Sequence, residues 1–492
     1  MQLPLLPELV LPPETTIKPS AARRVHCNRS LRLDGIEWVG FDMDYTLAIY
    51  DQEQMDRLSI EATARKLVER GYPERLLRMR YRTDFPIRGL LIDRKLGNVL
   101  KMDRYKYVKM AYHGMRELSL EERRRIYHAR RLRPATKRYH WVDTLYALSE
   151  VAVFAAAIEA LEAEDARVDY GRLFSDVREC IDLSHQDGSI LDRVLADLPR
   201  LVPPDPELGP TLHRLRSSGK KLFLLTNSHA PYTERMMTHL LGGSLADYPS
   251  WRNYFELIIT AACKPTFFTK REPFEEILDG ERRPAGPLSR GKIYAGGNIV
   301  DLERSLGAVG DRILYVGDHI YGDVLRAKKE TAWRTVMIIQ EMDAEFRALE
   351  ACEASIHRMD QLDGARDALH DRLREQLSIA KRLQQARDEH IEAEEELPTE
   401  LEAARIRTRR SVDRIKSQLR AADAEHSQLE AEVGRAFHPF WGSIFKAGPE
   451  VSLFGDQVEQ YACLYTSRVS NFLRYSSMHY FRSARDRMPH EQ

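Results

Sequence analysis

Ile36-Glu-Trp-Val-Gly-Phe-Asp-Met-Asp-Tyr-Thr-Leu-Ala48 is the stretch on which the reading of the whole chain turns. The apolar run from Ile36 to Phe41, with one early charge, predicts a strand buried on both faces. It delivers Asp42 and Asp44 at its C-terminal end, the edge of an open parallel sheet where ligands bind. Extended residues two apart point the same way, so both carboxylates can face one pocket. Ionised together at such close range they repel. A divalent cation offsets that cost, or one carboxyl stays protonated. A strand running into an Asx-type turn would give the same spacing with no chemistry attached.

Bulk properties narrow the classes. With 492 residues there is room for two or three domains and a large core. Lys+Arg and Asp+Glu are both 75, so no global basic field argues for nucleic acid, and any anion site must be local. The five cysteines, Cys27, Cys180, Cys263, Cys352 and Cys463, are scattered without a Cys-x-x-Cys, the pattern of reduced thiols. Residues 1–20 are broken by Pro4, Pro7, Pro12, Pro13 and Pro19 and do not read as a signal peptide. No apolar run approaches the roughly 20 residues that span a bilayer. The expectation is a cytoplasmic protein without membrane or nucleic-acid partners.

Outward from the first strand, Leu58, Ala62 and Leu67 predict an amphipathic helix ending near Gly71-Tyr-Pro73. Residues 86–114 read as short strands joined by turns, and 115–200 as mostly helical. About 170 residues separate Tyr50 from the next sheet signal at Lys220, too many for a structureless connection, so they form an inserted domain. Lys220-Lys-Leu-Phe-Leu-Leu-Thr-Asn-Ser228 then predicts a buried strand ending in a hydroxyl, Thr226, able with nearby N–H groups to hold a phosphoryl oxygen. Phe255 to Cys263 is a third strand, followed by Lys264-Pro265 and so by a compact positive charge. Residues 280–300 read as a loop and a short strand. Arg312-Ile-Leu-Tyr-Val-Gly-Asp-His-Ile-Tyr-Gly-Asp323 ends another strand in Asp318, with Asp323 five residues on; oxygen ligands of this kind suit Mg²⁺. Trp333 to Ile339 gives a further strand.

From about 343 to 435 the composition turns to Ala, Glu, Arg, Leu and Gln. Val412, Ile415, Leu419, Ala422, His426, Leu429 and Val433 step alternately by 3 and 4, a heptad seam in which His426 is a tolerated residue. Leu369, Leu373, Ala380 and Leu383 give a weaker stripe, and Leu397-Pro398 marks the turn of an antiparallel hairpin or coiled-coil arm. The final segment is aromatic-rich and reads as packing on the core.

Phe41-Asp-Met-Asp-Tyr-Thr-Leu-Ala48 resembles the first motif, Asp-x-Asp-x-Thr, of the haloacid dehalogenase superfamily of phosphohydrolases, and Met43 and Tyr45 resemble its cytosolic purine 5′-nucleotidase branch. Thr226, Lys264 and Asp318 with Asp323 match the second, third and fourth motifs in the required order. The resemblance implies an α/β, Rossmann-like core with a parallel sheet, an inserted α+β cap and the helical arm outside the family pattern. The boundaries are 1–56 for the arm and first part of the core, 57–200 for the cap, 201–345 for the rest of the core, 346–436 for the helical arm and 437–492 for the C-terminal segment. It also implies roles. Asp42 is the nucleophile and Asp44 the general acid and base. Thr226 and Lys264 hold phosphate oxygens. Mg²⁺ is held by Asp42, the Asp44 carbonyl and Asp318, with Asp323 touching it through water or orienting Lys264. In the cap, Arg178, Asp182 and His185, on one helix face by their spacing, match substrate-contacting residues; Asn227 joins them as a substrate contact.

There are departures from the purine enzymes. Met115 and Arg116 stand where they have an aromatic and an amide, Gln186 where they have an aromatic, and Leu191 where they have a lysine. Tyr321 and Lys328-Lys329 fall where part of their separate nucleotide-effector site would lie. The expected activity is Mg²⁺-dependent hydrolysis of nucleoside 5′-monophosphates through an aspartyl-phosphate, with phosphotransfer as an added activity and a homo-oligomeric assembly. The alternatives are a phosphatase for another phosphomonoester, such as a sugar phosphate, or an interaction scaffold with weak catalysis.

Overall fold

A computed structural model describes residues 20–127, 131–163, 167–325, 330–393, 396, 398–484 and 488–491. The proline-rich stretch 1–19, Lys328-Lys329 and Leu397 lie outside them. In chain order, β1 (His26–Cys27), β2 (Leu31–Arg32) and β3 (Trp38–Phe41) precede α1 (Gln52–Glu69). Then come β4 (Leu90–Asp93), β5 (Asn98–Met102), β6 (Val108–His113), β7 (Arg116–Glu117), α2 (Leu120–Tyr127), β8 (Tyr139–Val142), α3 (Leu148–Glu162) and α4 (Tyr170–Gln186). After two short helices and a longer one, β9 (Lys221–Leu225), β10 (Leu257–Thr260), β11 (Phe274–Leu278), β12 (Glu281–Pro284), β13 (Ile293–Gly296), β14 (Ile313–Gly317) and β15 (Arg334–Ile338) follow. Near the end lie β16 (Lys446–Ala447), β17 (Glu450–Val451), β18 (Leu464–Thr466) and β19 (Tyr480–Phe481).

The main sheet has ten strands in the order β1-β18-β15-β14-β3-β9-β10-β13-β11-β12. From β18 to β13 every neighbouring pair is parallel. Parallel strands covered on both faces need apolar residues at successive positions, and all four residues of β3 are buried. The ordered strand begins at Trp38, two residues later than the apolar run predicts. Glu37 nonetheless makes ladder bonds to Arg312 and Lys221. Against one face pack Trp38, Phe223, Tyr315, Phe268 and Trp333, and the indole N–H of Trp38 donates to the Leu306 carbonyl at 3.1 Å.

Three segments differ from the sequence reading. The loop expected at 280–291 begins with an antiparallel hairpin, β11 against β12, turned by Asp279-Gly280 with φ of 51° and 83°. Two left-handed residues are what a two-residue hairpin turn requires, and Asp-Gly is its sequence signal. The helical stretch 115–200 contains β8, whose Tyr139-His-Trp-Val pairs with β4 in a second, five-stranded antiparallel sheet, β7-β6-β5-β4-β8; aromatic and β-branched residues suit a half-buried strand. The C-terminal segment supplies β18, a full member of the main sheet.

Residues 344–443 form a compact unit of their own. Helices Glu353–Glu392 and Thr399–Phe437 run antiparallel, with Arg358 paired to Glu425 near one end and Arg405 bonded to Gln384 near the other. Thr408, Val412, Ile415, Leu419, Ala422 and Leu362 are buried in the seam. His426 sits in that register 3.5 Å from Asp363, and Pro398 precedes the second helix.

The inserted segment is pinned to the main sheet by Arg88. Its buried guanidinium forks onto Glu341 at 2.7 and 2.5 Å and donates to the Asp318 carbonyl at 2.9 Å. Removing Arg88 leaves Glu341, still partly open to solvent, and the Asp318 carbonyl without their donor. Arg88→Met is therefore expected to cost about 1–3 kcal/mol in urea unfolding, and no measurable loss would show the fork to be dispensable.

Candidate active site

Strands β14, β3, β9 and β10 are adjacent and parallel, so their C-terminal ends share one edge. Asp318 follows β14, Asp42 follows β3 and Thr226 follows β9, each directly; Lys264 comes four residues after β10. The predicted strand-end residues are thus brought together by topology alone. Among the described residues, three of the five non-glycine residues with positive φ, Tyr45, Ala261 and Cys263, lie in the same loops. Left-handed backbone at side chains that disfavour it gathers where a site over-determines the chain.

The ammonium of Lys264 lies 2.9 Å from Asp42 Oδ1 and 2.7 Å from Asp323 Oδ1, and donates to the Tyr315 hydroxyl at 2.9 Å. Asn227, expected as a substrate contact, instead grips the backbone of that lysine. Its amide oxygen accepts from Lys264 N at 2.6 Å and its nitrogen donates to Lys264 O at 3.0 Å. The side chain is committed to holding the lysine loop. Asp323 also accepts from the His319 N–H, reaching back over the end of β14. A Cβ on Gly317 would come within 2.5–2.6 Å of the Asp323 side chain, so only glycine lets that carboxylate in.

Burial pushes the Asp42 carboxyl well above its ordinary range, against the pull of Lys264 and with the push of Asp323, Asp318 and Asp44. Burial likewise lifts Asp318 to about 7, Asp323 adding to it. Burial works to lower the Lys264 pKa, but Asp323 and Asp42 outweigh it and hold the ammonium charged. One carboxylate oxygen from each of Asp42, Asp318 and Asp323 lies within 4.8 Å of the others. Three buried acids around one lysine leave a surplus of negative charge. A hard divalent cation fits such an all-oxygen donor set.

Asp44 stands apart from that cluster. Its Oδ1 accepts from the Tyr50 hydroxyl at 2.5 Å and its Oδ2 from Ser228 at 2.6 Å, while Tyr50 also meets the Tyr232 hydroxyl at 2.9 Å. Burial raises its pKa although both hydrogen bonds oppose the shift. The Thr226 hydroxyl, fully buried, accepts from the Ser228 N–H at 3.1 Å. Sequence reasoning missed Tyr50, Ser228, Tyr232 and Tyr315. Only Ser228, a second hydroxyl just past the strand, carried a local signal.

The cap residues divide. His185 sits edge-on to Tyr146, ring centroids 5.5 Å apart, and Tyr146 is edge-on to Tyr45 at 4.8 Å, next to Asp44. Arg178 pairs with Glu150 at 3.4 Å. Asp182 is exposed and partly offsets the lowering of the His185 pKa that burial causes. Of the departures, Met115 bonds through its N–H to Glu159, Arg116 is exposed and paired with Glu122, and Gln186 is exposed at the end of α4. Tyr321 lies 3.4 Å from the Gln457 amide.

Among the described residues no helix is long and apolar enough to cross a membrane. The profile of the 5′ nucleotidase family matches residues 25–492. A 5′-nucleotidase domain-containing protein of Dictyostelium discoideum is 28% identical over 483 residues, 95% of this chain and 74% of that one. The human 5′-nucleotidase domain-containing protein 2 is 32% identical over 363 residues, 69% of this chain and 67% of that one. A solved structure of a predicted phosphoglycolate phosphatase from Haemophilus somnus overlaps 62% of this chain and 85% of that one at 13% identity and a TM-score of 0.27, a likeness too slight to add to the topology described above.

One more buried acid borders the site. Asp56 on α1 has Gln52 as its hydrogen-bond donor, at 3.0 Å, and burial pushes its carboxyl up to about 8. The folded state therefore binds a proton that the unfolded chain releases near its ordinary value, and stability falls as pH rises from about 4 through about 8. Asp56→Asn should flatten the slope of unfolding free energy in that window by up to about 1.4 kcal/mol per pH unit. Equal slopes in wild type and variant would show that Asp56 does not titrate as its burial demands.

Proposed function

Because the chain belongs to the 5′-nucleotidase family, and is thereby a phosphoric monoester hydrolase, we propose that it hydrolyses nucleoside 5′-monophosphates with Mg²⁺ through an aspartyl-phosphate on Asp42. The observation that carries the reading is Lys264 held between Asp42 and Asp323 beside Asp318, a cationic and oxygen-rich setting for a phosphoryl group. Such transfer is a matter of positioning and charge neutralisation more than of covalent chemistry by the protein.

In this reading Asp42 Oδ attacks phosphorus as the bond to the leaving oxygen breaks, and Asp44, aimed by Tyr50 and Ser228, gives that oxygen its proton. Asp44 then takes a proton from water, whose oxygen attacks phosphorus and frees Asp42 and inorganic phosphate. Lys264 and Thr226 hold the non-bridging oxygens. Asp42 and Asp318, with the Asp44 carbonyl, would hold Mg²⁺, which when bound neutralises phosphate charge; Asp323, engaged by Lys264, orients that lysine. A nucleoside hydroxyl in place of water would give phosphotransfer. Residues 57–200 serve as the cap, Arg178, Asp182 and His185 as its substrate contacts, and the helical arm as the contact of a cytoplasmic homo-oligomer.

A second reading keeps the chemistry and changes the leaving group to a sugar. It rests on the resemblance alone, which implies that Met115 and Gln186 replace aromatics of the purine enzymes. Phosphate release from a panel of nucleoside monophosphates and sugar phosphates, with Mg²⁺, separates the two. Wild type should prefer a nucleotide, and Asp42→Asn should lower release at least about 10³-fold. Undiminished release in the variant would remove Asp42 as nucleophile; a good sugar phosphate with uniformly poor nucleotides would overturn the nucleotidase reading.

A further inference from the structure

The inserted segment holds an open cavity of about 640 Å³ that the strand-end chemistry does not use. One wall is the short 3₁₀ helix Glu74–Arg78 with the two residues after it, and the other is the last two turns of α3. The sequence accounts for both walls. In a 3₁₀ helix residues three apart fall on one edge. Leu76 and Met79 therefore go inward together, both buried, while Arg75 and Arg78 share another edge. Leu77 is 50% exposed, and Arg80 follows it three residues on. Across from them Ala156, Ala160 and Ala163 recur along one side of α3. Their short side chains leave the space open.

Two features separate this cavity from an ordinary surface recess. The first is its charge. The arginines that flank it along the chain are paired, Arg70 with Asp176 and Glu179, and Arg82 as a fork on Asp84. The side chains of Arg78 and Arg80, exposed at the cavity, have no ion pair or hydrogen bond among the described residues. The acids on the rim are Glu74 and Glu159, and Glu159 already accepts from the Met115 N–H at 2.8 Å. Three guanidinium groups thus outnumber two carboxylates. The second feature is the apolar lining. Among the described residues that line the cavity none is aromatic and none carries a side-chain amide, which leaves nothing to stack on a base or read its edge. The volume falls in the range of roughly 300–1,000 Å³ usual for small-ligand sites, and a guanidinium fork matches a carboxylate or a phosphate. We propose that the cavity binds an anionic amphiphile, its head at Arg78 and Arg80 and its aliphatic chain along Leu77, Met79 and the α3 alanines. The class of ligand is an aliphatic chain ending in a carboxylate or a phosphate ester, free in solution or presented by a membrane leaflet. The site goes beyond the nucleotidase reading and does not depend on it.

The test is calorimetric titration of the full chain with decanoate and decyl sulfate, neither of them a phosphomonoester, and with neutral decyl maltoside, all below micelle-forming concentrations. Both anions should bind saturably and at least about tenfold tighter than the maltoside. Arg78→Gln/Arg80→Gln should erase that preference, and Ala160→Phe, which fills the space, should abolish binding of the anions. Melting temperatures of the free variants close to wild type show that they fold; the surface double variant decides the matter if the filled one does not. No preference for the anions in wild type, or a preference that survives in Arg78→Gln/Arg80→Gln, would overturn the proposal. Flotation with phosphatidylcholine vesicles containing phosphatidic acid distinguishes the sources. Capture of wild type and not of the double variant assigns the ligand to a membrane leaflet, and binding of the soluble anions without capture assigns it to a free amphiphile.

Discussion

A single ammonium holds the strand ends in their working arrangement. Lys264 faces Asp42, Asp323 and Tyr315 in a setting from which water is largely excluded, where charges interact far more strongly than at the surface. Much of the nearby structure serves to bring it there. Asn227 grips its backbone on both sides, the loop carrying it runs through two left-handed residues, and Gly317 clears the path by which Asp323 reaches it. Asp42 and Asp323 come from strands on one side of β9 and Lys264 from the other, so the contact ties together the strands it depends on.

The second acid, Asp44, is handled differently. It makes no use of Lys264 as a hydrogen-bond partner and is aimed by hydroxyls, Tyr50 from the same loop and Ser228 from beyond β9. Two carboxylates two residues apart thus sit in unlike surroundings, one set by charge and one by neutral donors. Environments that push paired acids apart are how one site assigns distinct roles to identical groups. The inserted segment joins this arrangement through Tyr146 and again through Arg88.

What could be read beforehand was local. An apolar run followed by a polar residue marks a buried strand and its end within a few positions, which is why Asp42, Thr226, Lys264 and Asp318 were legible one by one. The seam of Val412, Ile415, Leu419 and Ala422 was legible because a heptad repeats over a single helix. Residues defined by a distant partner were not. Glu150 acquires meaning only beside Arg178, Arg88 only beside Glu341, and Tyr315 only beside Lys264. Asn227 was expected only as a substrate contact because the loop it grips lies 37 positions on and leaves no local mark. Asp279-Gly280 was a different case: the turn signal was present, but the charged residues after it resembled a loop and hid a strand at the sheet's exposed edge.

The place of β18 bears on how the molecule is made. It lies between β15 and β1, so the sheet edge is completed by residues about 440 positions apart in the chain. During synthesis β15 emerges long before its neighbour, and its buried residues Thr335 to Ile338 wait with an unpaired backbone row. Pairings this remote close slowly, and an open apolar edge is a template for mispairing with another chain. The nascent protein therefore carries an adhesive margin until β18 leaves the ribosome, a period in which a holding chaperone would have most to do.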